Sequence, residues 1–359
     1  MDPDATRLAQ QFYHGPFTQS NYYHTFYRPA RNEQPEWGFS QEGYPYEPLL
    51  ESRALKLLID ELRPQLVVSL HNSTMFGTYF VMRGKVPEGL PTALEELAQR
   101  RGTPLDPAPS DVSGYHRLPA TASYAMSDIV PDPTRPPSRG VSSLHAATEK
   151  REALALNIEV SMWRGRDPID GTVSLREYES ELTVAVEQIR SDTATLRAMV
   201  NQFSGEILPW PQNVLLSAVR DTLDISQLFA SEFLGKLSEL REHSRSSDND
   251  RIKNAEIRMI WNRVYGMTLR AAGMLRRILI PRGSRTDEVD RIIENRRAEL
   301  ESRFPLELNP RSAVVGLQVD AILLAAAAIA RSNDRVNTTV HVIEWQRTSN
   351  TRHSDPPDT

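Results

Sequence analysis

Two polar residues stand out because each lies next to or inside an apolar, strand-like run. His71 directly follows QLVVSL, residues 65–70, and Glu159 lies within ALALNIEVSM, residues 153–162. In open α/β sheets ligands bind at the carboxyl ends of strands, so a histidine there can reach a metal or a substrate. An unpaired buried carboxylate is costly. We therefore expect Glu159 to face solvent, to pair with a cation, or to line a cleft as a general base.

Both residues also have simpler structural interpretations. His71 can cap its strand by bonding to a neighbouring residue, and Glu159 can be the solvent-facing member of an alternating strand. The pattern of the residues leaves these alternatives open. If the functional interpretation holds, His71 and Glu159 must lie at the same end of neighbouring strands, within about 12 Å of each other, because both would act on one water molecule.

The elements around these residues predict an α/β sheet. Residues 49–63 carry apolar side chains at helical spacing, and Pro64 ends this predicted helix. Further helices are predicted at 86–98 and 145–152, separated by 102–142, whose eight prolines predict a long shaped loop. Helices alternating with buried strands are typical of α/β proteins. The apolar positions of the first helix are Leu55, Leu58, Ile59 and Leu62.

The second half of the sequence is predicted to be a helical domain. Apolar periodicity predicts helices at about 174–203, 213–243, 251–280, 286–303 and 311–331. Residues 337–345, NTTVHVIEW, alternate as a strand does, and the polar residues that follow predict disorder. The predicted organisation is an α/β domain over 1–170, a helical domain over 171–345 and a disordered tail over 346–359.

Composition excludes several classes of function. The 359 residues include no cysteine, which rules out disulfides, thiolate nucleophiles and cysteine-ligated zinc. The net charge of −5 argues against nucleic acid as a partner. The longest apolar run, residues 321–330, is shorter than the about 20 residues that a membrane span needs. The opening residues lack the features of a signal peptide, so we expect a cytoplasmic protein. The preference for arginine over lysine is a weak hint of a bacterial source.

Three short motifs together resemble the zinc carboxypeptidases of the carboxypeptidase A type. They are DPDA at residues 2–5, SLHN at 69–72 and NIEV at 157–160, and their order and spacing match that family over about residues 1–165. The resemblance implies a partial carboxypeptidase-like sheet with flanking helices. It also implies that His71 is a ligand of zinc, and that Glu159 activates the zinc-bound water and then protonates the leaving amine.

The resemblance also implies how a substrate is held. Arg28, in FYRPA, would bind the free carboxylate of a peptide or amide substrate, with Arg7 as a second candidate. Tyr124 would cover the substrate, and Tyr115 competes for that role. The implied activity is that of a zinc metallocarboxypeptidase-like peptidase, which hydrolyses a C-terminal peptide or amide bond.

One departure from the family affects the zinc site. The family's other two zinc ligands come from a His-x-x-Glu motif before the Asp-Pro-Asp turn, and here that turn begins at Asp2. The chain's single His-x-x-Glu, His341 to Glu344, lies in the predicted C-terminal strand, where positions i and i+3 face opposite ways. As written, the chain should therefore bind zinc weakly or not at all.

Three explanations remain open for the missing ligands. The sequence can be an N-terminally truncated product, which we favour, because the match extends to Met1 without fading. The ligands can come from a separate chain. The protein can also be a non-catalytic binding protein on the same scaffold, which is the alternative function. Beside the hydrolase and the binding protein, a third class of function is a helical interaction protein, in which residues 1–165 would be a decaying remnant of the α/β domain. Nothing in the sequence predicts the oligomeric state.

Overall fold

The computed structural model describes residues 3–35, 47–73, 75–106, 108–109, 115–120, 122–126, 142–149, 152–165, 172–243 and 251–350, the last eighteen by their backbone. They form a mixed α/β protein in which helices predominate, which confirms the coarse fold class. The strands are β1 (Leu66–His71), β2 (Met75–Phe76), β3 (Tyr79–Gly84), β4 (His116–Arg117), β5 (Ser123–Ala125), β6 (Leu154–Glu159), β7 (Trp163–Gly165), β8 (Thr172–Ser174), β9 (Arg251–Lys253) and β10 (Leu306–Leu308).

Ten α-helices accompany these strands in the described residues. They are α1 (Pro3–Ala9), α2 (Gln19–Thr25), α3 (Leu50–Leu62), α4 (Leu90–Arg100), α5 (Ser143–Thr148), α6 (Leu175–Val200), α7 (Gln212–His243), α8 (Asn254–Leu279), α9 (Asp287–Arg303) and α10 (Arg311–Asn350). The helices predicted from the sequence are confirmed, and nearly all of their ends agree with the prediction to within a few residues. The predicted strands at 65–70 and 153–162 are confirmed as β1 and β6.

The main sheet has five strands in the order β1-β6-β3-β5-β4. β1 runs parallel to β6, and β3 runs antiparallel to β6 and parallel to β5. Strand residues alternate between two apolar layers. Phe80 and Ile158 point to a cluster completed by α4 and α10, and Val81 and Ala155 point to a second cluster with Leu144 of α5. Both faces are covered, as the apolar runs of β3 and β6 require.

Helices α6, α7, α8 and α9 pack together around a second, larger core. Tyr178, Leu182, Val264 and Leu269 are fully buried there. The capping box at the start of α6, in which Ser174 and Glu177 bond to each other's backbone, fixes where that helix begins.

The N-terminal segment, residues 3–27, packs on this helical core although the sequence grouped it with the α/β domain. Arg277 of α8 donates hydrogen bonds to the carbonyl oxygens of Thr25 (3.1 Å), Phe26 (2.9 Å) and Leu8 (2.9 Å). Helix α2 comes so close to α8 that a Cβ at Gly273 would overlap the carbonyl of Tyr23. The predicted domain boundary at residue 170 stays a prediction, but residues 3–27 contact the helical half directly.

The predicted C-terminal strand is wrong. Residues 337–345 continue α10 as helix, so the backbone between His341 and Glu344 is helical, and residues 346–350 extend the helix where disorder was predicted. Helix propagates from the alanine-rich segment 321–330, and this outweighs the strand propensity of a few β-branched residues. Residues 351–359 lie outside the described residues.

Two further expectations change. The proline-rich stretch 102–142 includes the short strands β4 and β5 rather than only loop, although much of it lies outside the described residues. Within α10, Arg311–Ser332 is long and apolar enough to cross a membrane by length and composition, and an 18-residue window within it has a mean hydropathy of 2.1. The sequence-based argument that no apolar segment is long enough to span a membrane therefore does not hold, because it considered only the uninterrupted apolar run 321–330. One face of this segment, including Leu317 and Ala321, packs on the main sheet.

Candidate active site at the ends of two parallel strands

His71 and Glu159 lie directly opposite each other at the carboxyl ends of β1 and β6. The His71 Nδ1 and Glu159 Oε1 atoms are 3.6 Å apart. The sequence-based expectation that these residues share one end of neighbouring strands is confirmed, and the separation is well inside the limit that a common water molecule sets. The parallel register produces this arrangement, since β1 and β6 stay paired from Leu66 and Leu154 to their last residues.

A second pair of polar residues lies two positions earlier on each strand. Ser69 is opposite Asn157, and alternation directs all four side chains to the same face of the sheet. His71 Nε2 lies 2.7 Å from Ser69 Oγ, and Asn157 Nδ2 donates a 3.2 Å hydrogen bond to Glu159 Oε1. Ser69, His71, Glu159 and Asn157 therefore form a continuous polar chain, which we call the strand-end chain.

The strand-end chain is partly shielded from solvent. The Glu159 side chain is 11% exposed and the His71 side chain 30% exposed. Tyr79 of β3 lies opposite Glu159 on its other side and is buried. Glu159 is thus a buried, partnered carboxylate with an imidazole at the solvent side, and the interpretation of it as a solvent-facing residue is wrong.

Tyr124, the predicted substrate-covering residue, lies on the same face of the sheet. It pairs with Val81 of β3, which in turn pairs with Asn157, so it lies two strands from β6, about 10 Å away. Its hydroxyl accepts a 3.4 Å hydrogen bond from Arg117, and burial raises the pKa of Tyr124 although the Arg117 guanidinium lowers it. Tyr115 packs at the edge of the same apolar cluster.

The predicted carboxylate-binding arginines make their contacts elsewhere. Arg28 donates a 3.5 Å hydrogen bond to Gln34 in the N-terminal segment. The Arg7 guanidinium lies 4.8 Å from the centre of the Trp210 ring, in the link between α6 and α7. Within the described residues the structure joins neither arginine to His71 or Glu159.

The described residues do not fit a zinc site with three protein ligands. Among them there is no group of three or more His, Asp or Glu side chains that could hold a metal ion. His71 and Glu159 supply two donor groups, and the second nitrogen of His71 is bonded to Ser69. Two other histidines have local hydroxyl partners, since His24 lies beside Ser20 and His145 beside Ser142.

A surface groove of about 210 Å³ lies far from this chemistry. It is lined by Gln65 and Leu154, which start β1 and β6, and by the ion pair of Lys85 and Glu152. It therefore opens at the opposite end of the two strands from His71. We base the candidate site on the strand-end chain rather than on this groove, since the groove lies at the opposite end of the strands from His71 and Glu159.

Three site residues were missed by the sequence reasoning. Ser69 and Asn157 lie two positions before His71 and Glu159, so strand alternation alone could have found them. Tyr79 could not have been found this way, because its position depends on which strand pairs with β6. No family model, curated protein or solved structure matches this chain. The likeness to zinc carboxypeptidases thus depends on the short motifs alone.

Proposed function

We propose that the chain is a hydrolase of the zinc-carboxypeptidase kind, with a partial carboxypeptidase-like sheet, acting on a peptide or amide bond next to a free carboxylate. The observation that carries the proposal is the direct pairing of His71 with Glu159 at the ends of parallel strands. The motif resemblance requires both residues to reach one water molecule, and this pairing places them close enough to do so.

Glu159 is the proposed general base. A general base must lie within hydrogen-bond reach of the water it activates, and its carboxylate must be held in one orientation. Asn157 supplies that orientation through its 3.2 Å hydrogen bond, and burial keeps competing water away. In the proposed reaction Glu159 takes a proton from the attacking water and returns it to the leaving amine.

Zinc is not assigned a step in this proposal. The donors in the described residues are too few for a three-ligand site, so we expect the chain to bind zinc weakly or not at all. Isothermal titration calorimetry measures this directly. Submicromolar binding of a single zinc ion that disappears in His71→Ala would contradict the expectation and would place further ligands in residues outside those described.

Arg28 and Tyr124 stay the proposed substrate-binding residues. If Arg28 binds the substrate carboxylate, Arg28→Ala should raise KM for substrates with a free carboxylate and change kcat little. An Arg28→Ala variant with an unchanged KM would remove Arg28 from the site.

A second candidate function is binding without catalysis. The observation that favours it is the strand-end chain itself, in which Ser69, His71, Glu159 and Asn157 contact one another while the buried Asn157 Oδ1 atom has no hydrogen-bond partner among the described residues. A scaffold of this kind could bind a carboxylate-bearing peptide and leave its bonds intact.

Hydrolysis of blocked dipeptides by the full chain, with and without a chelator, separates these functions. If the chain hydrolyses them, Glu159→Gln should lower kcat by about 100-fold or more with little change in KM, since a general base acts in the transition state. Glu152→Gln, an exposed carboxylate at the other end of β6, is the matched control.

The outcomes differ for each function. Because zinc is expected to bind weakly or not at all, we expect little or no hydrolysis by the chain alone unless further ligands complete the site. Activity that a chelator abolishes would show that they do, activity that survives the chelator contradicts a mechanism of the zinc-carboxypeptidase kind, and activity that survives in Glu159→Gln contradicts the proposed base. Dipeptide binding by calorimetry without any hydrolysis supports the binding function.

A further inference from the structure

Strand β1 is an open edge of the five-stranded sheet. It is the terminal strand in the sheet order, and within the described residues it pairs with β6 alone. The amide of Leu154 donates to the Gln65 carbonyl (2.9 Å) and the amide of Val160 donates to the His71 carbonyl (3.2 Å). Backbone groups alternate along a strand, so those of Leu66, Val68 and Leu70 point away from β6, out of the open edge.

This edge lacks the features that natural proteins use to protect an edge strand. Protected edges carry charged side chains, proline or a bulge. From Leu66 to Leu70 the strand has no charge, no proline and no glycine, and the six residues of β1 pair with β6 without a bulge. Leu70 itself is 51% exposed.

Helix α3 adds exposed apolar surface on the side of the sheet that Val67 faces. Leu55 and Ile59 of α3 belong to one apolar cluster with Val67 of β1 and Ala147 of α5, and α5 packs on both α3 and β1. Leu58 and Leu62 belong to the same apolar face of the helix, yet they are 52% and 72% exposed. Only half of the face that apolar periodicity predicts as buried is covered, and the uncovered half lies on a helix that α5 joins to the open strand.

We propose that β1 pairs with β1 of a second copy of this chain, antiparallel and about a two-fold axis at Val68. A two-fold axis perpendicular to the sheet makes the paired strands antiparallel and brings identical patches together. The three outward-facing residues fit this symmetry. Val68 of each copy faces Val68 of the other, and Leu66 of one copy faces Leu70 of the other, so each pair exchanges two backbone hydrogen bonds.

Charge argues for a second copy rather than a different partner. Like residues meet across a two-fold axis, so a charged edge would repel itself, and this edge is uncharged from Leu66 to Leu70. The α3 helices of both copies lie on the same side of the continuous sheet. Each copy would bury on the order of 600 Å², the low end for a specific interface, so the dimer should dissociate at micromolar concentrations.

Sedimentation velocity on the full chain, between about 1 and 100 μM, tests the dimer. The wild type should shift from monomer to dimer over this range. Leu70→Lys places a charge at the edge and should stay monomeric throughout. The control Ile207→Lys changes a fully exposed residue in the helical half and should behave as the wild type does. A wild type that is monomeric throughout, or a Leu70→Lys dimer, overturns the proposal.

A cross-linking experiment tests the register and does not depend on Leu70→Lys folding. The chain has no cysteine, so Val68→Cys introduces a single thiol. In the proposed register the two Val68 Cα atoms lie about 5.5 Å apart, within reach of a short bis-maleimide. Val68→Cys should form a covalent dimer, and Ile207→Cys should not. A dimer that Val68→Cys fails to cross-link uses another surface, and a monomer that sediments with lipid vesicles binds lipid there instead; either result contradicts the proposal.

Discussion

The helical half and the sheet half use buried carboxylates differently. In the helical half Asp192 accepts two hydrogen bonds from Arg296, at 2.8 and 2.9 Å, and one from Thr268. In the sheet half Glu159 accepts a bond from the neutral amide of Asn157 and lies 3.6 Å from an imidazole. A guanidinium clamp fixes the Asp192 carboxylate by charge, whereas Glu159 is held by an uncharged amide beside an imidazole. The halves also differ at their boundaries, since the helical core is covered, whereas β1 ends the sheet and pairs on one side only within the described residues.

The largest expected loss of stability tests how tightly the helical core is packed. Trp261 is 2% exposed, stacks on Tyr265 at 5.1 Å and donates a 2.6 Å hydrogen bond to Glu181. Trp261→Ala should lower the free energy of unfolding by about 3–5 kcal/mol, because it leaves a cavity and removes a hydrogen-bond donor from a carboxylate. Urea unfolding measures this change.

The control for Trp261 is the same substitution at Trp210. This ring is 46% exposed and carries one cation–π contact, with Arg7. Trp210→Ala should cost about 1 kcal/mol or less. If the two substitutions lower the free energy of unfolding equally, Trp261 is less tightly packed in the helical core than its low exposure indicates.

The next effect compares the two buried carboxylates directly. Asp192→Asn leaves the Arg296 guanidinium, 19% exposed, without its buried charged partner, and should lower the free energy of unfolding by about 3 kcal/mol. Glu159→Gln should cost about 1 kcal/mol or less, since a glutamine oxygen can still accept the Asn157 hydrogen bond and the variant leaves no buried guanidinium without its partner. Thermal unfolding of both variants measures the contrast, and a larger loss in Glu159→Gln would mean that Glu159 is a structural residue.

A smaller effect tests the contact between the N-terminal segment and the helical half. In Gly273→Ala the new methyl group would overlap the Tyr23 carbonyl, so the variant should lose about 2–3 kcal/mol of stability. Gly235→Ala, in α7, meets no atom within 4 Å and should instead gain about 0.5–1 kcal/mol from helix propensity. If both glycine variants are stabilised, α2 does not pack on α8.

The smallest expected effect is a pH dependence of stability from His24, which lies where the N-terminal segment meets the helical half. Burial lowers the pKa of His24, as does Arg276 and, less strongly, Arg297, whereas Asp290 and Glu294 raise it. The folded protein therefore keeps His24 neutral at a pH where the unfolded chain already binds a proton. Stability from this residue is complete above about pH 6.5 and falls as the pH drops below it.

His24→Gln removes this titration. Urea unfolding between about pH 7 and pH 5 should show a shallower loss of stability in His24→Gln than in the wild type. His14→Gln, which changes an exposed histidine of the same segment, is the matched control. A steeper pH dependence in His24→Gln would mean that folding raises the pKa of His24 rather than lowering it.

The sequence was enough to predict the helices and the central pair of the site. Apolar periodicity depends on a helix's own side chains, so α6 to α9 follow from local pattern. His71 and Glu159 could be paired because each is the polar residue at the end of an apolar strand. The same local pattern failed at 337–345, where the growing helix α10 decided the structure.

Long-range pairing could not be read from the sequence. Nothing local indicates that Tyr79 lies beside Glu159, since this depends on β3 pairing with β6 across 80 residues. The same holds for α2, whose partner α8 is about 250 positions away. The roles of His71, Glu159, Arg28 and Tyr124 in catalysis or binding stay predictions.

The contact of Arg277 with the carbonyls of Leu8, Thr25 and Phe26 has a consequence for synthesis on the ribosome. Thr25 and Arg277 are 252 residues apart, so at 5–20 residues per second the first is made about 10–50 s before the second. During that time Tyr23 and its aromatic neighbours lack the surface that will bury them. A nascent chain arrested before α8 should therefore be cleaved by protease near Tyr23, and one arrested after α9 has emerged should be protected there.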